Sequence, residues 1–483
     1  MGFSGVQRVI GFLIAGSSLM MLPPVLVSWW YNDGTANLFL ISAAILLLAG
    51  VVIHLPVRHV QQDLRLRDGF LVVVSSWLAL VLVGALPFVL LISPQISYVD
   101  AVFESMSGLT TTGATILTQV DNLPHAVLYY RQQLQWLGGM GIIVLAVAIL
   151  PALRIGGMQL YRAETPGPLK DAKLTPRITE TAKALWMIYV GITVACALAY
   201  WLGGMSLFDA TGHAFSTVAI GGFSTHNASL GYWNDATLEI IAMTFMVIAG
   251  INFALHFVAW RRASMQAYFL DPELKVYLSL LFLFSFLVSF ELYLNETYTD
   301  LSDAFRYGTF QVISIMTTTG FTTSQFFEWP SLLPTFLVLM AFIGGCAGST
   351  AGGMKVIRFI LLYRQSVREI QRLVHPRAIL PVMVGGQAAS STVMDAVWGF
   401  FFLYIASFAV MTVLLTATGL DEITAYSAVA ACITNLGPAL GEAGMNYASL
   451  NDTAKVILSF AMLLGRLEIY TLLVLLTPAF WRG

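Results

Sequence analysis

The sequence predicts an all-α polytopic membrane protein: two N-terminal transmembrane helices, then four pseudo-symmetric repeats, each a span, a short helix and a second span, gathered about one axis. Three observations predict it. Hydrophobic residues make up 58% of the 483 and charged residues 10%, where a soluble chain carries about a quarter charged. Apolar, nearly charge-free windows long enough to cross the hydrocarbon core recur from end to end. A polar, glycine-containing motif returns four times at intervals of roughly a hundred residues.

Ten windows of roughly 20 residues fall at 9–30, 38–57, 70–93, 134–153, 185–207, 240–260, 276–290, 332–354, 397–418 and 456–477. They divide into two N-terminal helices at 1–57 and repeats at 68–153, 180–262, 274–365 and 390–481. The first window follows Arg8 without a small-residue cleavage site and soluble sequence behind it, so it reads as a retained helix and not a signal peptide. Placing the N-terminus in the cytoplasm puts Arg8, Arg58, Arg65, Arg67, the basic residues of 154–183, Arg261, Arg262, Lys275, those of 355–377 and Arg482 on one side. That is 20 of the 24 basic residues, a strong positive-inside pattern. Cys196, Cys346 and Cys432 lie in apolar surroundings and read as small hydrophobes, not as a disulfide framework.

The connections on the other side are too long and too apolar to be plain loops. Each opens on an acidic residue, Asp100, Asp209, Asp303 or Asp421, and about a dozen residues later reaches Gly113, Gly222, Gly320 or Gly437. The third contains "MTTTGFTTS", five threonines and one glycine between apolar runs. The aspartates suit helix N-caps. A short helix that begins there and stops at the glycine aims a C-terminus carrying roughly half a negative charge at whatever lies between the four segments. Irregular backbone at membrane depth survives only where protein buries it or water reaches it, so the four segments must share one wet place. Glycine reaches dihedrals that L-residues resist, and threonine supplies a hydroxyl that ligates a cation or pins the strand. The expected result is a lining whose carbonyls replace an ion's hydration shell. A threonine-rich loop explains any single copy equally well; four copies in register favour the lining.

With these residues, and with "GGCAGSTAGGMK" and "GRLEIYTLL", nearly the whole chain resembles the Trk/Ktr/HKT potassium transporter family (TrkH, TrkG and KtrB subunits), and within it TrkH most closely. There, four non-identical M1-P-M2 repeats surround one pore, and two extra N-terminal spans are typical of TrkH. The resemblance implies K+ uptake across the bacterial cell inner membrane, with K+ as the transported ion and no organic cofactor on this chain. It also implies a homodimer regulated by a cytosolic, TrkA-like nucleotide-binding ring. Carried over, the family's filter falls on Thr111, Thr112 and Gly113, on Ile220, Gly221 and Gly222, on Thr318, Thr319 and Gly320, and on Asn435, Leu436 and Gly437. Only the first and third copies read Thr-Thr-Gly, none continues as the "TVGYG" of potassium channels, and Pro438 follows Gly437. Fewer complete rings of oxygen can form, so Rb+ is expected to replace K+ well and Na+ to be rejected only moderately. Glycine in all four copies favours K+ in this family, where serine in the first is associated with Na+.

The eighth window carries Gly344, Gly345, Gly348, Gly352 and Gly353 with Ser349, Thr350 and Lys355. At about 1 kcal/mol per glycine in a helix interior, an unwound segment is expected below the pore centre, with close helix packing through small residues as the other reading. TrkH relatives use this region as an intramembrane gate. Its likeness to a phosphate-binding loop fails, because Met354 separates Gly353 from Lys355 and Val356 stands where Ser or Thr belongs. Arg466, inside the last window, is expected to face the pore as a fixed barrier to cations, a structural ion pair being the alternative. Asp121, Asp235, Glu291, Glu296, Asp300, Glu328, Glu442 and Asp452 are expected to surround the outer mouth and concentrate cations. The basic loops 154–183 and 355–381 suit a cytosolic partner or the anionic headgroups of the lipid bilayer. A H+- or Na+-coupled symporter is the competing class, but such folds show inverted symmetry. No HExxH, nucleophile elbow or nucleotide fingerprint argues for an enzyme, and nothing in the sequence calls for nucleic acid.

Overall fold

This computed structural model describes residues 3–59, 66–91, 93–144, 178–330, 332–378 and 380–482. The chain starts as α1 (Phe3–Ser17) and passes through a 3-10 turn into α2 (Leu22–Tyr31), whose prolines sit at its start, where a missing N–H costs nothing. α3 (Ala36–His54) returns against α1. Asp33, in the turn between α2 and α3, accepts the N–H of Thr35 at 3.1 Å and of Ala126 at 2.8 Å, which ties this hairpin to the first repeat.

The first repeat has α4 (Leu66–Gly84) and α5 (Leu86–Val89) as one span, the short helix α6 (Tyr98–Leu109) and then α7 (His125–Val144). The second has α8 (Ile178–Leu202), the short α9 (Leu207–Ala219), α10 (Ala236–Ala249) and α11 (Phe253–Arg262). After α12 (Gln266–Leu270) the third brings α13 (Pro272–Leu294), the short α14 (Leu301–Met316), α15 (Leu333–Ala341) and α16 (Val356–Val374). A two-residue hairpin, β1 (Met383–Val384) against β2 (Gln387–Ala388), precedes the fourth. That repeat has α17 (Ser391–Thr416), the short α18 (Glu422–Ile433), α19 (Asp452–Arg466) and α20 (Tyr470–Leu473), and α21 (Pro478–Arg482) ends the chain.

Six helical runs among the described residues are long and apolar enough to cross a membrane: Phe3–Tyr31, Ala36–Val57, Asp68–Val89, Lys183–Leu202, Pro272–Leu294 and Ser391–Thr416. They are the N-terminal pair and the first span of every repeat. The second spans behave differently. Windows 240–260 and 456–477 are broken, with bends of 92° between α10 and α11 and 111° between α19 and the segment after it. At the first break Asn252 Oδ1 accepts the N–H of Ala254 at 2.8 Å and starts a new helix; at the second, Glu468 has φ of 50°. Window 332–354 is α15 followed by irregular backbone at 342–355. Of window 134–153, α7 accounts for the part to Val144; residues 145–153, the basic loop 154–177 and Arg65 lie outside the described residues.

The polarity of the fold is inverted relative to a soluble protein. First spans present large apolar side chains such as Leu202 and Phe282, about four-fifths exposed, to the surrounding lipid, while the short helices form the core. Every residue of 103–109 in α6 and of 427–433 in α18 is buried. Their capping corrects one expectation. Asp421 is an N-cap, accepting the N–H of Thr424 at 3.0 Å, and its hydrogen bonds with Thr424 hold its carboxyl below the usual carboxylate range. Asp100 and Asp209 instead sit three residues into boxes capped by Ser97 and Ser206, whose hydroxyls accept their N–H groups at 3.1 and 3.0 Å. Asp300, and not Asp303, holds the cap position of α14.

Candidate functional site

Each short helix ends in the same way. Thr111 N–H donates to Gly108 O and Thr112 N–H to Ser107 O, at 3.0 and 2.9 Å. The same pair of bonds recurs from Ile220 and Gly221, from Thr318 and Thr319, and from Asn435 and Leu436. This is the Schellman arrangement, which satisfies the last orphan carbonyls and normally places glycine in the left-handed position. Here that position holds Thr111, Ile220, Thr318 and Asn435, with φ between 53° and 64°. A β-branched residue there is strained. Two residues on, Gly113, Gly222, Gly320 and Gly437 also have positive φ, from 78° to 97°.

The four glycines close a ring. A Cβ on Gly113 would lie 2.1 Å from Gly221 O, on Gly222 2.1 Å from Thr319 O, on Gly320 2.2 Å from Leu436 O, and on Gly437 2.5 Å from Thr112 O. Each segment abuts the next, and the fourth abuts the first. All twelve residues expected to form the lining therefore come together around one axis, and glycine is demanded twice, by dihedral and by its neighbour's carbonyl.

Beyond this common backbone the segments differ. Thr110 Oγ1 and Thr112 Oγ1 are 2.8 Å apart, as are Thr317 Oγ1 and Thr319 Oγ1, so these hydroxyls brace their own strands. In the second segment Gln135 fills the place of the missing hydroxyls: its Nε2 donates to Gly221 O at 2.6 Å and its Oε1 accepts Phe223 N–H at 3.1 Å. In the fourth, Asn435 Nδ2 donates to Thr112 Oγ1 and to Met462 O, and the Tyr447 hydroxyl donates to Gly437 O at 2.6 Å. Behind the first segment a buried pair, Arg131 Nε to Glu104 Oε1 at 2.8 Å, grips Thr115, Ile116 N–H and Ser224 O. None of Gln135, Tyr447, Glu104 and Arg131 was singled out from the sequence as part of a site. "YYRQQLQW" carried a signal, an arginine and three glutamines inside an apolar stretch.

On one side of the ring lies a cavity of about 470 Å³, whose lining includes Gly113, Gly222, Gly320 and Pro438. None of the eight carboxylates expected around the mouth lines it. Its polar wall is Arg131, His226, Asn227, Gln325, Asn446 and hydroxyls. Asp121 is held by His226 Nδ1 at 2.7 Å, and Asp235 caps α10, accepting the N–H of Thr237 at 2.6 Å.

On the other side lies the irregular segment after α15. Gly344, Gly348, Gly353 and Lys355 all have φ between 70° and 78°, which no helix accommodates. Gly352 N–H donates to Thr318 Oγ1 at 2.7 Å and Gly353 N–H to Thr434 O at 3.0 Å. Thr350 Oγ1 donates to Val218 O at 2.9 Å, Ser349 Oγ to Cys346 O at 2.6 Å, and Lys355 Nζ to Ala351 O. Gly345 O accepts Val356 N–H, and Gly348 O accepts Phe253 N–H at the break after α10. Arg466, at the end of α19, donates to Thr350 O at 3.0 Å and to Gly138 O at 3.3 Å. Glu468 turns away to Arg358. All nine residues singled out for gating thus form one cluster against the ring.

A nearly all-helical membrane protein with four re-entrant segments closed about an axis belongs to the ion-transport class. Comparison with known proteins gives the family: the TrkH model, described as cation transport protein, matches residues 36–482. The chain belongs to the TrkH family, whose members are transporters and not enzymes. It is 54% identical over 477 residues to the Trk system potassium uptake protein TrkH of Halomonas elongata, covering 99% of each chain. It is 53% identical over 486 residues to the protein of that description from Vibrio parahaemolyticus, covering 100% of each. The crystal structure of the potassium transporter TrkH from Vibrio parahaemolyticus matches with a TM-score of 0.92 at 50% identity over 100% of both chains.

Proposed function

We propose that this chain takes up K+ across the bacterial inner membrane through a channel-like pore. The four segments ending at Gly113, Gly222, Gly320 and Gly437 act as the selectivity filter. The segment from Gly344 to Lys355, with Arg466, acts as the gate. The observation that carries the reading is the closed ring: four backbones with one conformation, in mutual contact, between a cavity and a loop bonded directly to two of them. The recurrence of span, short helix and second span in one direction supports a channel-like path over the coupled symporter. Arg466 supplies the barrier, a fixed positive charge beneath the ring that is held by the very loop that must move.

The N-terminus lies in the cytoplasm and the cavity opens outward, a placement that the distribution of Lys and Arg supports. The chain works as a homodimer in the lipid bilayer with a cytosolic TrkA-like nucleotide-binding ring, by likeness to the Trk system proteins that it resembles. Purified protein in liposomes tests the core of this reading. An outward K+ gradient should drive radioactive Rb+ uptake, K+ should compete with Rb+ well, and Na+ should compete weakly. Equal competition by Na+ and K+, or no uptake with or without the partner, overturns it.

A further inference from the structure

One buried carboxylate has no part in the filter or the barrier. Glu273, 6% exposed, stands in the first turn of α13, after the Asp271 cap, which accepts Leu274 N–H at 2.7 Å, and the helix-starting Pro272. Its Oε1 accepts two backbone N–H groups, that of Ala347 at 2.8 Å and that of Ile357 at 3.1 Å. Those two residues bracket the part of the loop bonded to the short helices and the ring: Thr350, Gly352 and Gly353 all lie between them.

The geometry explains why a carboxylate stands there. α16 begins after Lys355, which sits at its cap position with φ of 78° and offers no side-chain cap. The first N–H groups of a helix need acceptors. Val356 N–H finds Gly345 O and Ile357 N–H finds Glu273. A carboxylate from α13 thus replaces the missing cap of α16 and, through the same oxygen, holds the far end of the loop at Ala347. One oxygen thus ties two points of the loop to α13, and moving the loop aside while α13 stays in place breaks at least one of these bonds.

We propose that Glu273 is the latch of the gate, a positioning residue whose carboxylate holds the loop in its blocking arrangement. The proposal rests on the gate reading above. Its test is basal Rb+ uptake into liposomes holding the full-length protein without its cytosolic partner. Glu273→Ala should raise uptake about tenfold, a change of about 1.4 kcal/mol in the closed–open balance, with the preference for Rb+ over Na+ retained. Glu273→Gln keeps an acceptor oxygen in place and should stay within about threefold of wild type. Should Glu273→Ala fail to insert, Glu273→Asp, one methylene short of reaching both N–H groups, carries the same expectation.

A Glu273→Ala protein that elutes like wild type and leaks no more than wild type overturns the latch, as does a Glu273→Gln protein as leaky as the alanine variant. Arg466→Ala separates the two layers of argument. A leaky Arg466→Ala beside a tight Glu273→Ala refutes the latch and leaves the gate standing. If both are tight, the gate reading falls as well.

Discussion

Gly352→Ala isolates the proposed gate, because its effect depends on where the loop sits and hardly on the loop's own conformation. Gly352 is not among the positive-φ glycines, so alanine can adopt its backbone without a left-handed penalty. In the position seen here, however, a Cβ would lie 2.0 Å from Thr434 O and 3.0 Å from Thr434 C, backbone atoms at the end of α18 that cannot swing away. The loop must withdraw. Doing so gives up the bonds from Gly352 N–H to Thr318 Oγ1 and from Gly353 N–H to Thr434 O. At about 1 kcal/mol net each, the blocking position loses about 2 kcal/mol, which is roughly a 30-fold shift toward the open arrangement. Partner-free Rb+ uptake should rise accordingly. Gly191→Ala in α8, where a Cβ meets nothing within 4 Å, is the control and should leave uptake unchanged. A well-folded Gly352→Ala protein with wild-type basal uptake refutes the idea that this loop, resting on Thr318 and Thr434, is what blocks the path.

Three further variants probe the other parts. Arg466→Ala removes donors to Thr350 O and Gly138 O as well as the charge; with charge-assisted bonds worth about 1.5 kcal/mol or more, basal uptake should rise at least tenfold, and an unchanged or smaller leak counts against the barrier. Gly222→Ala puts a methyl group against Thr319 O at a residue with φ of 78°, at about 1–2 kcal/mol for the left-handed conformation alone; competition assays should show the preference for Rb+ over Na+ reduced or uptake lost. Arg131→Met leaves Glu104 buried without its partner and should cost about 3–5 kcal/mol of stability, seen as a lower melting temperature in detergent, with the double change Glu104→Leu and Arg131→Met recovering part of the loss.

The sequence was most legible where periodicity and chemistry coincide. Hydropathy located every first span, because those spans face lipid and their composition is their function. The repeated glycines located the ring, and the glycine cluster from Gly344 to Gly353 located the irregular backbone that interrupts its span. Broken spans elsewhere were invisible for a physical reason. The turn after α10 is held by Asn252 and by Phe253 N–H bonding to Gly348 O, nearly a hundred residues away, and a window average records composition, not which carbonyl takes a hydrogen bond. The same limit hid Gln135 and Glu273. Both act on backbone groups far along the chain, and only the folded molecule brings those groups to them.

Four unlike repeats on one chain permit an arrangement that four identical subunits cannot. The loop after α15 occupies the space beneath the ring once. It is held by the second repeat at Val218 O and Phe253 N–H, by the third at Thr318 Oγ1 and by the fourth at Thr434 O, and Arg466 links it to the first at Gly138 O. Four copies related by exact symmetry would compete for one volume, and none could meet four different partners. The cost of unlikeness is paid in the filter, where Ile220 and Asn435 stand in positions that hold threonine in the other two segments. The common backbone conformation preserves a ring of carbonyls, while hydroxyls are present in only part of it. On the proposed reading, such a chain gives up some hydroxyl ligands in the ring and gains a single loop that all four repeats hold.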